Sequence, residues 1–518
     1  MTSFVKKWLP TNTWVRLAIV PALVFIALMA DRNYLADFWH HLARGRAMVE
    51  EGRLIDQDRF TFTSPGQSFQ DVNWLTQVFY YRLYQWGGMD LVRLTNALFL
   101  ALTFSLIVGF CWRKSSSLPA ATAIGIATFF GLWQILSIRP QTFSLLLFVL
   151  LYDVLDRAEE KPAWLFVAPT ILALWANLHG AFPAGLMLMG CFLLAALVRC
   201  VGGGVSAVCK WAHLPPPPTH PTSNGKSWRL ALCLGASLLA TLINPYGWDI
   251  YQYVRQTSSI ASARRIDEWG PPTLDLWISK VLLASLVLMA VLYFVSLRRG
   301  RRPSAREMIL IGCFLPLACL WVRMVAWWLI VCAPMASILL VHIWPKLRDQ
   351  EEKPKPAWDA AIAFCLILSL VVMSWPGLQR YNPILASRLA TPRMEETLED
   401  VHRRLADLTP RGRIFTRLEW GEYLTWSFAP HYKIFMDGRV EIYPDQIWEQ
   451  YATLTQGHAG WNKVLDDYGV DFLLLDNTYH DRTGLLPRVQ ESPHWQRVLE
   501  AGPALLYVRR PTEPVAQK

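Results

Sequence analysis

Charge is scarce in this chain. Only 17% of its 518 residues are Asp, Glu, Lys or Arg, against 53% hydrophobic residues and 25 Trp, a balance that leaves too little polar surface for an ordinary water-soluble globule and points to a polytopic membrane protein. Cysteine is poor in pattern rather than in number. All nine lie between Cys111 and Cys365, none has CxxC spacing, and most fall inside apolar runs, so neither a zinc site nor a disulfide framework is indicated. A glycine-rich nucleotide-binding loop is missing as well. The formal charge of +10 does not point to nucleic acid: from Pro376 onward there are 17 Lys/Arg against 19 Asp/Glu, so the basic excess belongs to the apolar part of the chain, where it reports topology.

What is present is a series of apolar runs of bilayer length, near 14–30, 91–111, 118–136, 141–155, 163–178, 182–199, 229–244, 276–297, 307–321, 324–343 and 358–375, about eleven spans. The first follows Lys6, Lys7 and Arg16 and ends without a small-x-small cleavage site, so it reads as an uncleaved helix. With the N-terminus in the cytoplasm, the basic connections at Arg113/Lys114, Arg157/Lys161, Lys210/Lys226, Arg298 to Arg306 and Lys346 to Lys355 all fall inside. The "PPPPTHPTSNG" stretch is then a cytoplasmic linker.

The same count puts two larger pieces outside. One is a first outer loop, 31–90, assigned with the helices to a transmembrane domain, 1–375; the other is a soluble α/β domain, 376–518. In the latter "RGRIFTR", "HYKIFMDGR", "VDFLLLD" and "PALLYVRR" read as strands, and "MEETLEDVHRRLADL" and "GWNKVLDDYG" as helices. In the loop, "DFWHHLARGRAMVEEG" and "VNWLTQVFYYRLYQWGG" have the composition of amphipathic helices lying on the membrane surface. His40 and His41, being adjacent on a helix, point different ways and make a two-histidine metal site improbable.

Polar residues gather at the outer connections. "WANLHGAF" ends an apolar run with Asn177 and His179, "SIRPQ" carries Arg139, "NPYGW" carries Asn244 and Tyr246, and "WVRM" carries Arg323. Each of these residues alone has a plain explanation as an interfacial cap or a snorkelling side chain. Four short outer connections with Asn, His or Arg, three of them beside Pro or Gly, suggest one shared external site instead. Arginines suit a phosphate or diphosphate there because a guanidinium holds two oxygens at once and stays charged. The first outer loop supplies acids, Asp37 and Asp56/Asp58. "EWGEYLTW" and "FMDGRVEIYP" place Glu419, Trp420, Asp437 and Arg439 where loops reach over a site, although a structural turn with an Asp–Arg pair explains the second stretch equally well.

The motifs "DFWHHLARGRAMVEEGRLIDQDRFTFT", "NWLTQVFYYRL", "IRPQTFS", "LWANLHGAF" and "FMDGRVEIYP" resemble those of GT-C class membrane glycosyltransferases, in a bacterial branch related to the aminoarabinose and mannosyl transferases. The resemblance runs over nearly the whole chain. It implies a polytopic α-helical membrane protein of the bacterial inner membrane that moves a sugar from a polyprenyl-phosphate-linked donor to an extracytoplasmic acceptor. Asp37 would be the catalytic acid and Asp58 a second acid that assists or, with Asp37, holds a divalent cation, Mg or Mn. Arg139, His179, Asn177 and Arg323 would bind the donor phosphate, with Asn244, Tyr246, Trp420, Asp437 and Arg439 near the substrate. Two departures stand out: Asn73 occupies a position often acidic in the branch, and "EWGEYLTW" lacks the first Trp and the Asp of the "WWDYG" signature of oligosaccharyltransferases. The alternatives are a lipid-linked glycan transporter, whose mid-membrane charges and internal repeat are not visible in the sequence, and a non-catalytic scaffold. Oligomeric state is left open.

The orientation has a direct test. Alkaline phosphatase fused after Lys518 is expected to be active, and an inactive fusion would reverse every assignment of side made from the charges.

Overall fold

The computed structural model describes residues 12–30, 37–211, 227–264, 267–349, 355–375, 394–409 and 411–510. The proline-rich linker and the expected domain boundary at 376 lie outside the described residues. The chain divides into two compact units, the first comprising Met1–Asn33, Gly87–Val254 and Ser262–Gln379, the second Tyr34–Trp86, Arg255–Ala261 and Arg380–Lys518.

The first unit is helical. Every one of the eleven apolar runs coincides with a helix, and seven helices are long and apolar enough to cross a membrane; Pro162–Leu178 and Ser227–Ala240 are shorter apolar helices. At one end of the unit, acids of helix Gln141–Ala158 gather the cations of two other helices. Arg113 binds Asp153 at 2.5 Å and Asp156 at 2.7 Å, and Lys114 and Arg306 each reach Asp156 at 3.0 Å. Arg306 and Arg199 meet on Glu159, just past that helix, at 2.8 and 2.9 Å. Arg113 and Lys114, counted in the sequence as bulk basic charge, are therefore also tie points between helices.

Chain direction changes at Gly87 and Gly88. Gly88 has φ 59° and ψ −159°, a backbone region essentially closed to residues with a Cβ. It separates the helical stretch beginning at Trp74 from the span that ends at Ser115, and the division between the units falls at the same place, after Trp86.

The second unit is built on a five-stranded sheet in the order β2-β1-β3-β5-β4. Its strands are β1 (Gly412–Thr416), β2 (Tyr432–Ile434), β3 (Phe472–Asp476), β4 (Trp495–Ala501) and β5 (Ala504–Arg509). β1 pairs in parallel with β2 and β3, while β5 runs antiparallel to β3 and β4. Side chains alternate across it as the pleat requires. Ile414, Phe472 and Leu474 pack on one face with Leu398, Val401 and Leu405 of helix Met394–Leu408, and Phe415, Leu473 and Leu475 on the other. The four expected strands are present. β4 is additional, since "WQRVLEA" has too few β-branched or aromatic residues to stand out. "LEWGEYLTWS" forms helix Leu418–Ser427 between β1 and β2.

The first outer loop is part of this second unit, a grouping that differs from the division at 375/376. Ala43, Met48, Ile55, Phe60, Phe62 and Phe69 lie in the same apolar core as Phe415, Phe435 and Leu473. Residues 60–62 add to the edge at β2, where Phe62 N donates to Ile434 O at 3.1 Å and Ile434 N to Phe60 O at 3.2 Å. The surface-helix reading of "DFWHHLARGRAMVEEG" is corrected accordingly. In helix Asp37–Glu51 residues Phe38 to Gly45 are all buried, because its aromatic and basic side chains find protein partners: Trp39 packs on Tyr423 and Trp426. Close packing also explains Gly45, where a Cβ would stand 2.2 Å from Gln77 O.

Gly88→Ala is expected to lower the thermal stability of the purified chain by about 1–3 kcal/mol. Gly190→Ala, in helix Pro183–Trp211 where an added Cβ meets nothing within 4 Å, should leave it unchanged or raise it; equal melting of the two variants would show that Gly88 does not need its conformation.

Candidate functional sites

Each unit contains one cluster of chemically capable side chains. In the first unit Arg139, His179 and Arg323 line a single small cavity of about 80 Å³, together with Gln141, Glu268 and Trp327. Three separate connections supply the two arginines and the histidine. Arg139 precedes helix Gln141–Ala158, His179 caps the C-terminus of Val167–Leu178, and Arg323 sits in the short turn Val322–Met324. Each apolar helix ends there, so polar groups need partners that lipid cannot give. Arg139 Nη1 donates to Glu268 Oε1 at 2.7 Å. Arg323 makes no ion pair among the described residues and lies 3.9 Å over the Trp269 ring, a cation–π contact.

His179 Nδ1 is 2.7 Å from Ser144 Oγ, which also accepts Trp175 Nε1–H at 2.7 Å. Ser144 thus fixes the orientation of the ring through Nδ1. The "WANLHGAF" histidine is a held imidazole lining the same cavity as two guanidinium groups. Asn177 is not among the lining residues. Its Nδ2 donates to Ala173 O at 2.8 Å and Ile243 O at 2.7 Å, tying its own helix to the turn that follows helix Ser227–Ala240. Asn244 is likewise occupied, bridging Thr241 O, Gly247 O and Tyr246 N within its turn, and Tyr246 is half-buried beside it.

In the second unit two linked arrangements surround helix Asp37–Glu51. One is closed. Arg439 donates to Asp437 through Nε and Nη2 at 2.6–3.0 Å and to Asp58 at 2.5 Å. Tyr443 OH donates to Asp437 at 2.9 Å. Asp58 further accepts Thr61 Oγ1 at 2.6 Å and the Phe60 and Thr61 amides at 3.2 Å. Asp58 is 4%, Asp437 0% and Arg439 3% exposed. Asp58, expected as a second acid, and Asp437 and Arg439, expected near the substrate, thus lie in one buried network of paired charges, the arrangement of the structural-turn reading of the Asp–Arg pair. Trp420 is a core residue in contact with the sheet.

The other arrangement holds Asp37, His40 and Glu422. Asp37 opens the helix, where the helix dipole favours a negative charge, and is half-buried. One turn on, His40 Nδ1 is hydrogen-bonded to Glu422 Oε2, and Glu422 Oε1 accepts Gly438 N at 2.5 Å. Gly438 has no room for a side chain, since a Cβ would stand 2.2 Å from that oxygen. Burial, then the Arg44 guanidinium, pushes the His40 imidazole down to about 3. Burial, then the Asp437 and Asp37 carboxylates, pushes Glu422 well above the ordinary carboxylate range. Asp437 goes the other way: burial would raise it, but Arg439 holds it at about 2. A neutral Glu422 donating its O–H to a neutral His40 satisfies all three shifts.

His41 stands with its ring 4.2 Å from that of His40, nearer than its place on a helix suggested. It is engaged separately, by Arg44 Nη2 at 3.1 Å and Gln77 Nε2 at 3.0 Å, and Arg44 is in turn fixed by Asp71 at 2.9 Å. Among the described residues no group of three or more His, Cys, Asp or Glu is gathered as metal ligands are. Sequence reading missed Glu422, His40, Asp71 and Glu268. For Glu422 the one available signal was its place in the unusual "EWGEYLTW".

The His40–Glu422 pair has a pH signature. Folded, it holds one proton. Unfolded, with ordinary values of 6.5 and 4.5, it holds two below 4.5, one between, and none above 6.5. It therefore withdraws stability as pH falls below 4.5 and again as pH rises above 6.5. Glu422→Gln removes the titrating acid but keeps a donor for His40 and an acceptor for Gly438. The unfolded histidine then gains its proton at 6.5 with no folded counterpart, so this acid limb is expected to move up by about two pH units. Thermal melting of both proteins from pH 4 to 8 measures it, and superimposable acid limbs would mean that Glu422 is ionised.

No family model matches the chain, and no curated protein does. Among solved structures it is similar to the archaeal oligosaccharyltransferase AglB from Archaeoglobus fulgidus, determined in complex with an inhibitory peptide and a dolichol-phosphate: 14% identical, TM-score 0.51, over 97% of this chain and 75% of that one. An apo Archaeoglobus fulgidus oligosaccharyltransferase is 13% identical, TM-score 0.46, over 89% and 69%. At 14% identity the likeness is one of fold: the chain has the fold of this archaeal oligosaccharyltransferase.

Proposed function

We propose that this protein is a membrane glycosyltransferase that moves a sugar from a polyprenyl-phosphate-linked donor to an acceptor outside the cytoplasm of a bacterial cell. The observation that carries the reading is the convergence of Arg139, Arg323 and His179 on one small cavity in a chain with the AglB fold. Two guanidinium groups and an imidazole, largely removed from water, suit the oxygens of a phosphate or diphosphate. The C-terminal domain faces the same outer side in this reading, as the loop charges require.

The chemistry follows from residue types. Asp37 accepts the proton of an acceptor hydroxyl or amine, the oxygen or nitrogen forms its bond to the anomeric carbon, and the bond from that carbon to the lipid phosphate oxygen breaks. The departing phosphate gains negative charge as this happens, and Arg139, Arg323 and His179 stabilise it more in the transition state than in the donor. Glu268 balances Arg139 until a phosphate arrives. A divalent ion shared by Asp37 and Asp58 does not fit, because Asp58 is committed to Arg439, Thr61 and two amides. No step is assigned to a metal.

The test is a profile of lipid-linked sugars and envelope glycans by mass spectrometry in cells producing wild-type protein, Asp37→Asn or Arg323→Ala. Each variant is expected to be made at normal level, to accumulate the lipid-linked donor and to lose the modified glycan, with turnover reduced by roughly a hundredfold or more for the missing base. Unchanged glycans with Asp37→Asn would move the proton acceptor elsewhere, and unchanged glycans with both variants would leave the scaffold reading standing.

A further inference from the structure

A second cavity of the first unit is separate from the Arg139 pocket. It has a volume of about 960 Å³ and lies against the first helix, Thr13–Ala30, and the far end of Trp74–Ser115. One wall is apolar, formed by Leu17, Pro21, Leu106 and Phe110. Gly109 belongs to the same wall, and a Cβ placed there meets nothing within 4 Å, so the helix offers bare backbone to an open groove. Trp14, 79% exposed, stands at the rim.

The other end is cationic. Arg113, Arg157 and Arg348 line it with Asp153 and Asp349. Both carboxylates are already occupied. Asp153 lies between Arg113 Nη2 and Arg157 Nε, each at 2.5 Å. Asp349 accepts Trp112 Nε1 at 2.7 Å and Leu118 N at 2.9 Å. Asp153 is thus shared by two arginines, Asp156, which also binds Arg113, is shared with Lys114 and Arg306, Asp349 is held by uncharged donors, and Arg348 is exposed with no acid paired to it among the described residues. A net positive end on an apolar groove between membrane helices matches a lipid whose headgroup carries a phosphate and no compensating cation.

We propose that this cavity is a binding site for an anionic phospholipid of the leaflet on the side of the basic connections, with its phosphate at Arg348 and Arg157 and an acyl chain along Leu17, Pro21, Leu106 and Gly109. The site rests on the chain's embedding in a membrane and is independent of glycosyl transfer. It gives the basic residues at this end a second role besides setting topology: a bound lipid fills the groove that the first helix and the end of helix Trp74–Ser115 leave open.

The experiment uses the full chain, purified in mild detergent and stripped of lipid, then offered phosphatidylglycerol, phosphatidylcholine or inorganic phosphate. Native mass spectrometry and thermal melting read the result. One phosphatidylglycerol is expected to be retained and to raise the melting temperature, phosphatidylcholine to be retained several-fold less, and inorganic phosphate to have no effect. Arg348→Ala, at an exposed position, should reduce phosphatidylglycerol retention several-fold and abolish the thermal shift. Gly109→Leu, built into open space, should block the chain without disturbing the arginines. Equal retention of the two lipids, retention unaffected by either substitution, or a shift produced by inorganic phosphate alone would each overturn the proposal. A glycosyltransferase assay is not part of the readout, so failure here and failure of the functional reading are distinguishable.

Discussion

The guanidinium of Arg439 is the interaction on which the second unit depends. It joins Asp58 in the first outer loop to Asp437 after β2, residues nearly 380 positions apart. All three are almost completely buried, and a charge taken out of water costs several kcal/mol unless a partner of opposite sign and further hydrogen bonds replace the solvent. Here the replacement is complete around Asp58 and Asp437: Thr61, Tyr443 and three backbone amides complete their shells. Loss of the arginine would leave two carboxylates buried together. The first loop is therefore held to the sheet by a requirement of charge as well as by the phenylalanines that share its core.

That closed network differs from the cavity in the helical unit in a way that separates architecture from function. Arg439 faces two acids through Nε and Nη2, and its Nη1 is buried without a hydrogen-bond partner. Arg139 is paired with Glu268 at the cavity wall, and Arg323 rests on an aromatic ring and makes no ion pair among the described residues. Buried cations are stable only where anions or water complete their surroundings. The pocket thus has the electrostatics of a receptor, whereas the Asp–Arg cluster has those of a staple. His40 and Glu422 belong to a third type. Both are buried close to Asp437 and Asp37, and they avoid the charge problem by remaining neutral together, which lets an acid and a base hold helix Asp37–Glu51 against the loop at Gly438.

The positions of these groups were legible in the sequence to different degrees. Apolar runs fix membrane helices because the cost of exposing backbone in hydrocarbon is local and large, and all eleven runs are helical in the structure. Four of five strands were marked by alternating apolar residues. The arginines and histidine of the outer connections stood out for the same local reason, being polar where the neighbouring residues are not, and three of the four expected residues share a cavity. Asn177 looked identical in sequence to His179, yet two carbonyls nearby consumed it.

Composition and periodicity by themselves determined that this is a helical membrane protein with an added α/β domain, and which connections carry unusual polar groups, since each of those features is decided within a window of some twenty residues. Tertiary structure decided everything that depends on pairing across the chain. It took the first outer loop into the C-terminal domain's unit, turned Asp58 from a candidate acid into a counter-ion, buried Trp420 and brought Glu422 to His40. The reason is physical: whether a carboxylate is a base, a staple or a neutral acid depends on the charges and solvent within a few ångströms of it, and no local pattern states which distant residue will stand there.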